Sequence, residues 1–131
     1  MNGINFGVDF DPTVDRLRVV SDAEQNLRIN PDTGAVDSID GMLSPAGAVT
    51  GAAHSSNFAG AGTTTLYDVD LVTRQLFTED PGTGALVLVG SLNANISGGF
   101  DAGFDVSSGS GKAYLSAPVG LVPPSRRRCT R

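Results

Sequence analysis

Apolar and polar residues alternate along much of the chain with the period of two that a half-buried β-strand imposes. Phe6-Gly7-Val8-Asp9-Phe10 has this pattern, and Arg16-Leu17-Arg18-Val19-Val20 has it again. Between them, Asp11-Pro12-Thr13-Val14-Asp15 supplies turn chemistry, because Pro12 fixes φ and the two aspartates can accept hydrogen bonds from nearby amides. The two runs therefore predict a hairpin. A second is predicted where Asn26-Leu27-Arg28-Ile29 meets Asn30-Pro31-Asp32-Thr33-Gly34, with Gly34 able to take positive φ before Ala35-Val36 starts the return strand.

The same grammar recurs downstream. Thr65 to Asp70 and Gln75 to Thr78 flank a turn, Asp80-Pro81-Gly82-Thr83-Gly84 leads into Ala85 to Val89, and Gly103 to Val106 returns through Lys112 to Leu115. Val8-Asp9-Phe10-Asp11, Tyr67-Asp68-Val69-Asp70 and Phe104-Asp105-Val106-Ser107 align without gaps, and Pro-x-Thr-Gly-Ala occurs at both Pro31 and Pro81. No helix is predicted, since the Ala-rich stretch from Gly41 to Gly62 is interrupted by Pro45, Gly47, Gly51 and Gly60. It reads as a long loop with one short strand near Ala52 to Phe58. The sum is nine or ten strands, an all-β chain of repeated antiparallel hairpins. Such repetition favours a partial β-propeller-like domain of two to three blades. Propellers typically have about 4 to 8 blades, so exposed sheet edges predict closure by homo-oligomerisation.

Composition sharpens this in two ways. Gly and Pro together make 24 of 131 residues, in keeping with many turns. Through Ser125 the chain has five basic side chains against all 14 acidic ones, a formal charge of −9, whereas the last six residues carry +4. A body this acidic repels phosphate backbones, so no nucleic-acid partner is expected, and Arg126-Arg127-Arg128 reads as a solvated run. The change of composition divides the chain into one all-β repeat domain, 1–118, and an irregular basic tail, 119–131. Cys129, the only cysteine, cannot form an intramolecular disulfide. No run approaches the roughly 18 apolar residues of a membrane span, and no basic-then-apolar leader follows Met1.

Carboxylates dominate the candidate chemistry. Asp9 with Asp11, and Asp68 with Asp70, stand two apart, which puts each pair on one strand face, where oxygen ligands could hold calcium. The competing reading is that aspartates at strand ends cap backbone amides. No other cofactor is implied. His54, the only histidine, is the natural general base of any enzyme built on this chain, with Asp9 and Asp68 as its carboxylate partners. Arg16, Arg18 and Arg28, with Asn26 nearby, could line an anion-binding site; alternatively the arginines pair with Asp9, Asp11 or Asp15 across the first hairpin. The Gly-rich segments lack the strand–loop–helix context and lysine of a phosphate-binding loop.

The stretches FGVDFDPTVDRLRVVSDAEQNLRINPDTGAV and TTTLYDVDLVTRQLFTEDPGTGALVLVGSL give the chain, over residues 4–117, a resemblance to the bacterial DUF4394 family, domains of unknown function found largely in exported proteins. The resemblance implies a propeller-like repeat of hairpins and an extracellular or cell-envelope setting, and no established activity. The family's domain is longer, with further blades expected before Phe6 and strands after Pro118. Two functions are therefore expected. One is a non-enzymatic extracellular module that self-associates and binds a small-molecule or surface ligand. The other is a hydrolase of esters, lactones or glycosides using His54 and the aspartates.

Overall fold

The computed structural model describes residues 1–97 and 101–120 of the 131-residue chain. These residues are all-β, with ten strands: β1 (Phe6–Asp11), β2 (Arg16–Ser21), β3 (Asn26–Ile29), β4 (Val36–Ile39), β5 (Val49–His54), β6 (Leu66–Asp70), β7 (Gln75–Glu79), β8 (Leu86–Ser91), β9 (Gly103–Val106) and β10 (Ala113–Ser116). They form two four-stranded sheets, β1-β2-β3-β4 and β5-β6-β7-β8, and a two-stranded third, β9-β10. Within each sheet, every strand pairs antiparallel with its neighbours in sequence. The basic run Arg126–Arg128 and Cys129 lie outside the described residues.

One turn design closes most of the hairpins. Asp11, Asn30, Asp70 and Asp80 each end a strand or directly follow one, and each side-chain oxygen accepts the amide two positions on, at 2.8–3.0 Å. Four positions on, Asp15, Gly34, Arg74 and Gly84 take φ of 52°, 71°, 57° and 74°, the left-handed geometry that brings the return strand into register. The aspartates at strand ends thus cap amides. The repeat unit is the hairpin, not the sheet. The Asp-x-Asp strand is first in the first sheet, as β1, but second in the second sheet, as β6, whereas Pro-x-Thr-Gly-Ala joins the third strand to the fourth in both.

The strand expected near Ala52 to Phe58 begins earlier, at Val49, and ends at His54. All six of its residues are buried, because β1 and β2 cover one side of it and β9 the other. A strand covered on both faces has no reason to alternate, and small residues let its neighbours approach. Gly7 of β1 is pressed so close that an added Cβ would lie 2.7 Å from the Ala52 amide nitrogen. Val20, Leu43, Val49, Ala52 and Leu66 form the apolar core at this contact, with Leu86 against it.

The polarity of the first sheet is inverted. The register places Asp9, Arg18 and Arg28 on one face with Gly7, Val20 and Asn26, and that face packs on the second sheet. Val8, Val19, Leu27 and Ile39 share the opposite, outward face with Phe10, Leu17, Ile29 and Val36. Val19 and Leu27 are nevertheless buried, while Val8, Phe10, Val36 and Ile39 stand 50%, 48%, 50% and 76% exposed.

Gly7→Ala is expected to destabilise the fold by about 2–3 kcal/mol, because the added methyl meets backbone that cannot move alone. Gly34→Ala, in open space at positive φ, should cost about 1 kcal/mol. Urea denaturation of the two variants distinguishes them, and equal losses would refute the close approach of β1 and β5.

Candidate functional site

The polar face of the first sheet and the second sheet enclose a layer of charge centred on Arg18. This side chain, in the middle of β2, is only 2% exposed. Its Nη1 donates to Asn26 Oδ1 at 2.6 Å, to Asp40 Oδ2 at 2.7 Å and, more weakly, to the Pro81 carbonyl at 3.2 Å. Asn26 Nδ2 in turn donates to the carbonyls of Gly41 and Pro81, each at 3.1 Å. Two side chains of the first sheet thus hold the Asp80–Gly84 turn of the second. Asp40 also accepts a two-pronged contact from Arg28, at 2.8 Å to each oxygen, and Oδ1 accepts the Ser38 hydroxyl. Burial pushes the Asp40 carboxyl up, but these donors outweigh it and hold it below the ordinary carboxylate range.

Across the layer stand Asp68 of β6 and Glu79 of β7, on the same sheet face and diagonally adjacent. Both are raised, first by burial and, for Asp68, by the neighbouring Glu79 carboxyl, so the neutral forms are favoured. Apart from each other, their four oxygens meet no donor among the described residues. His54 ends β5. Its backbone N–H donates to Asp9 Oδ2 at 2.6 Å, a bond that spans the two sheets. Its ring is fully buried, and desolvation, reinforced by Arg18, lowers its pKa from 6.5 to about 4 despite the opposing pull of Asp11. Asp9 is raised by burial, which outweighs the bonds from the amides of His54 and Phe10.

The expected site residues therefore part company. His54, Asp68, Arg18 and Asn26 meet in the layer, with Asp9 and Asp11 at its margin. Asp11 is taken by its own turn, through the Thr13 amide and hydroxyl, and Asp70 accepts the amides of Ala48, Val72 and Thr73. The described residues contain no group of three or more His, Cys, Asp or Glu side chains arranged to hold a metal ion. Arg16 pairs with Asp37 at the surface. The arginines thus pair with the carboxylates of Asp37 and Asp40, from β4 and just beyond it, and not with those of Asp9, Asp11 or Asp15, although Arg16 donates to the Asp15 carbonyl. The reason is competition: Asp9 and Asp11 are held by amides, and the side chains of Arg16 and Arg18 on β2 and Arg28 on β3 reach carboxylates in and just after β4. Sequence reading missed Asp40 and Glu79, and only their position beside turn residues marked them out.

The layer meets the outside at a hollow of about 420 Å³ lined by Arg16, Arg28, Asp37 and Ser38, and at a cleft beside His54. The cleft is open, about 560 Å³ in volume, and is lined by His54 and Glu79 at the ends of β5 and β7, with Thr64, Leu66, Asp80, Pro81 and Val87 around them. A larger groove of about 710 Å³, between Phe6, Thr50, Gly103 and Ser116, borders the third sheet and has none of the charged layer in its walls.

The pattern of a family described as a domain of unknown function, DUF4394, matches residues 1–123, the whole of both four-stranded sheets and the β9-β10 pair. The chain belongs to the DUF4394 family. No curated protein and no solved structure matches it. Among the described residues of this DUF4394 domain, no helix is long and apolar enough to cross a membrane.

Two outcomes test the charge layer. Arg18→Met should destabilise the domain by about 3–5 kcal/mol, since it leaves buried carboxylates uncompensated, whereas Arg28→Gln, at a side chain more than a third exposed, should cost under about 1 kcal/mol. His54 binds no proton in the folded state where the unfolded chain does, so its contribution is present above pH 6.5 and is lost as pH falls toward about 4. That loss amounts to roughly 3 kcal/mol. The raised carboxyls of Asp68 and Glu79 act in the opposite sense, gaining stability as pH falls, so the His54 effect is read as a difference. His54→Asn, which can still donate toward Thr64, should show a shallower acid loss than the parent in chemical denaturation between those pH values.

Proposed function

We propose that this DUF4394 domain is a non-enzymatic, propeller-like β module of the cell envelope or extracellular space, which self-associates through its sheets and binds a ligand at the cleft beside His54. The observation that carries the reading is the inverted first sheet. It spends its polar face on the second sheet and turns eight apolar side chains outward, four of them about half exposed or more. An outward apolar sheet face is what a further blade, or a second copy, packs against. Stacked antiparallel sheets of repeated hairpins support the propeller-like arrangement, and the family resemblance supports export.

The burial of His54 and Asp68, both without solvent exposure, speaks for a structural rather than catalytic use of these groups. The hydrolase reading has one observation in its favour, that His54 and Glu79 line the same cleft.

Sedimentation of the parent protein should reveal a dimer or higher oligomer, and Phe10→Glu with Ile39→Lys should give a folded monomer of unchanged circular dichroism. A stable monomer at high micromolar concentration would remove self-association from the reading. Chromogenic esters, lactones and glycosides should show no turnover above buffer; turnover abolished by His54→Ala would replace the module with a hydrolase.

A further inference from the structure

Phenylalanine is usually buried, yet Phe10 and Phe58 stand 48% and 55% exposed. Both line one small open hollow of about 230 Å³, with the exposed side chains of Asp15 and Asn57 beside them. These residues come from segments far apart in the chain. Phe10 is next to last in β1 and Asp15 lies in the turn that follows, whereas Asn57 and Phe58 belong to the loop after β5. The bond from the His54 N–H to Asp9 Oδ2, at 2.6 Å, ties the end of β5 to the residue before Phe10. Ser56 then takes a left-handed φ of 51°, and the Phe58 N–H donates back to the Ser56 carbonyl at 2.8 Å, so the loop curls beside the hairpin end instead of running away from it. The Asp15 carboxylate has no cation: the ion pairs among the described residues are Arg16–Asp37, Arg18–Asp40 and Arg28–Asp40. Arg16, its neighbour in sequence, turns its Nε to Asp37 and its Nη1 to the Asp15 carbonyl. Among the described residues no lysine or arginine lines the hollow, and Asp11, buried and bound by the Thr13 amide and hydroxyl, adds a second carboxylate to its wall.

We propose that this hollow binds a guanidinium group, that of an arginine side chain or a small arginine-like molecule, with its plane against the rings of Phe10 and Phe58 and its N–H donors on the Asp15 carboxylate and Asn57 Oδ1. A guanidinium is flat, carries donors and no acceptor, stacks on aromatic faces and offers a fork that fits a carboxylate. An ammonium has the charge without the plane, and an anion meets only repulsion from Asp11 and Asp15. Size agrees, since the hollow has the room of about seven or eight water molecules, which suits one arginine side chain and little more. The negative charge of the body, −9 through Ser125, draws cations toward it. Every group the ligand would touch is exposed, and the hollow is separate from the cleft beside His54, so the inference does not depend on what that cleft binds.

The test follows the backbone amides of the full chain by NMR during titration with Nα-acetyl-argininamide, Nα-acetyl-lysinamide and Nα-acetyl-citrullinamide. Citrulline keeps the plane of arginine without its charge, and lysine keeps the charge without the plane. Argininamide should shift the amides of Asp15, Asn57 and Phe58 saturably, and the other two should bind several-fold more weakly. Agmatine binding as well as argininamide assigns the site to small guanidinium compounds, whereas tighter binding of a capped Gly-Arg-Gly peptide assigns it to arginine within a polypeptide. Asp15→Asn, which removes the charge with a residue that tolerates the positive φ of 52°, should weaken argininamide binding about fivefold. Phe58→Ser should weaken it about threefold, as loss of an exposed cation–π contact does. Both positions are exposed, so both variants should keep the amide dispersion of the parent. An equal response to lysinamide, which general attraction to an acidic chain would give, overturns the site, as does an equal response to citrullinamide or the absence of shifts at these amides. Neither Asp15 nor Phe58 is among the outward apolar residues of the first sheet, so sedimentation of the variants should match the parent. Failure of the site then leaves the self-associating module standing, and a monomeric parent leaves the site standing.

Discussion

Arg18 carries a full charge into a place with almost no water, and the two large sheets are arranged around the need to satisfy it. Moving such an ion out of solvent costs several kcal/mol, recovered only where partners are close and well aimed. Asp40, from just beyond β4, supplies the counter-charge, and Asn26 and the Pro81 carbonyl complete the shell. The Pro81 carbonyl belongs to the second sheet, so the shell closes only when the sheets are in their observed register. Asp68 and Glu79 depend on the same cation, whose field is the one attractive influence on a carboxyl pair that burial otherwise drives toward the neutral form.

A polar interlayer has a structural corollary. Charged side chains need room and partners, so the close approach of the sheets falls to residues without bulk: Gly7 against Gly51 and Ala52. The apolar core is correspondingly small, and the larger apolar surface of the first sheet faces outward. Amphipathic strands usually do the reverse. Here the inner face gives the sheets a fixed register, and the outer face keeps apolar side chains in contact with solvent.

The hairpins were legible in the sequence because their instructions are local. Asp or Asn accepts the amide two positions on, a residue four positions on takes positive φ, and Pro12, Pro31 and Pro81 fix the first step of their turns. Nothing local marks β5, whose six residues are buried on both sides and do not alternate. Nor did alternation in β1 and β2 reveal which face is inner, since period two is the same in either sense. His54, Asp9, Asp68, Arg18 and Asn26 were readable as candidates by residue type. That Arg18 reaches Asp40 and Pro81, at sequence separations of 22 and 63, is a tertiary fact that no spacing rule contains.

Because each strand pairs only with its neighbours in the chain, every ladder can close over a short loop. Hairpins of this kind form on the scale of about 1–10 μs. The Arg18 shell cannot, since one of its acceptors arrives with the turn after β7. Folding of the two large sheets therefore has a built-in sequence: strands meander first, while the guanidinium is still hydrated, and dehydration comes last, as the sheets dock. Closing the seam between the sheets and drying the Arg18 guanidinium are thus one event.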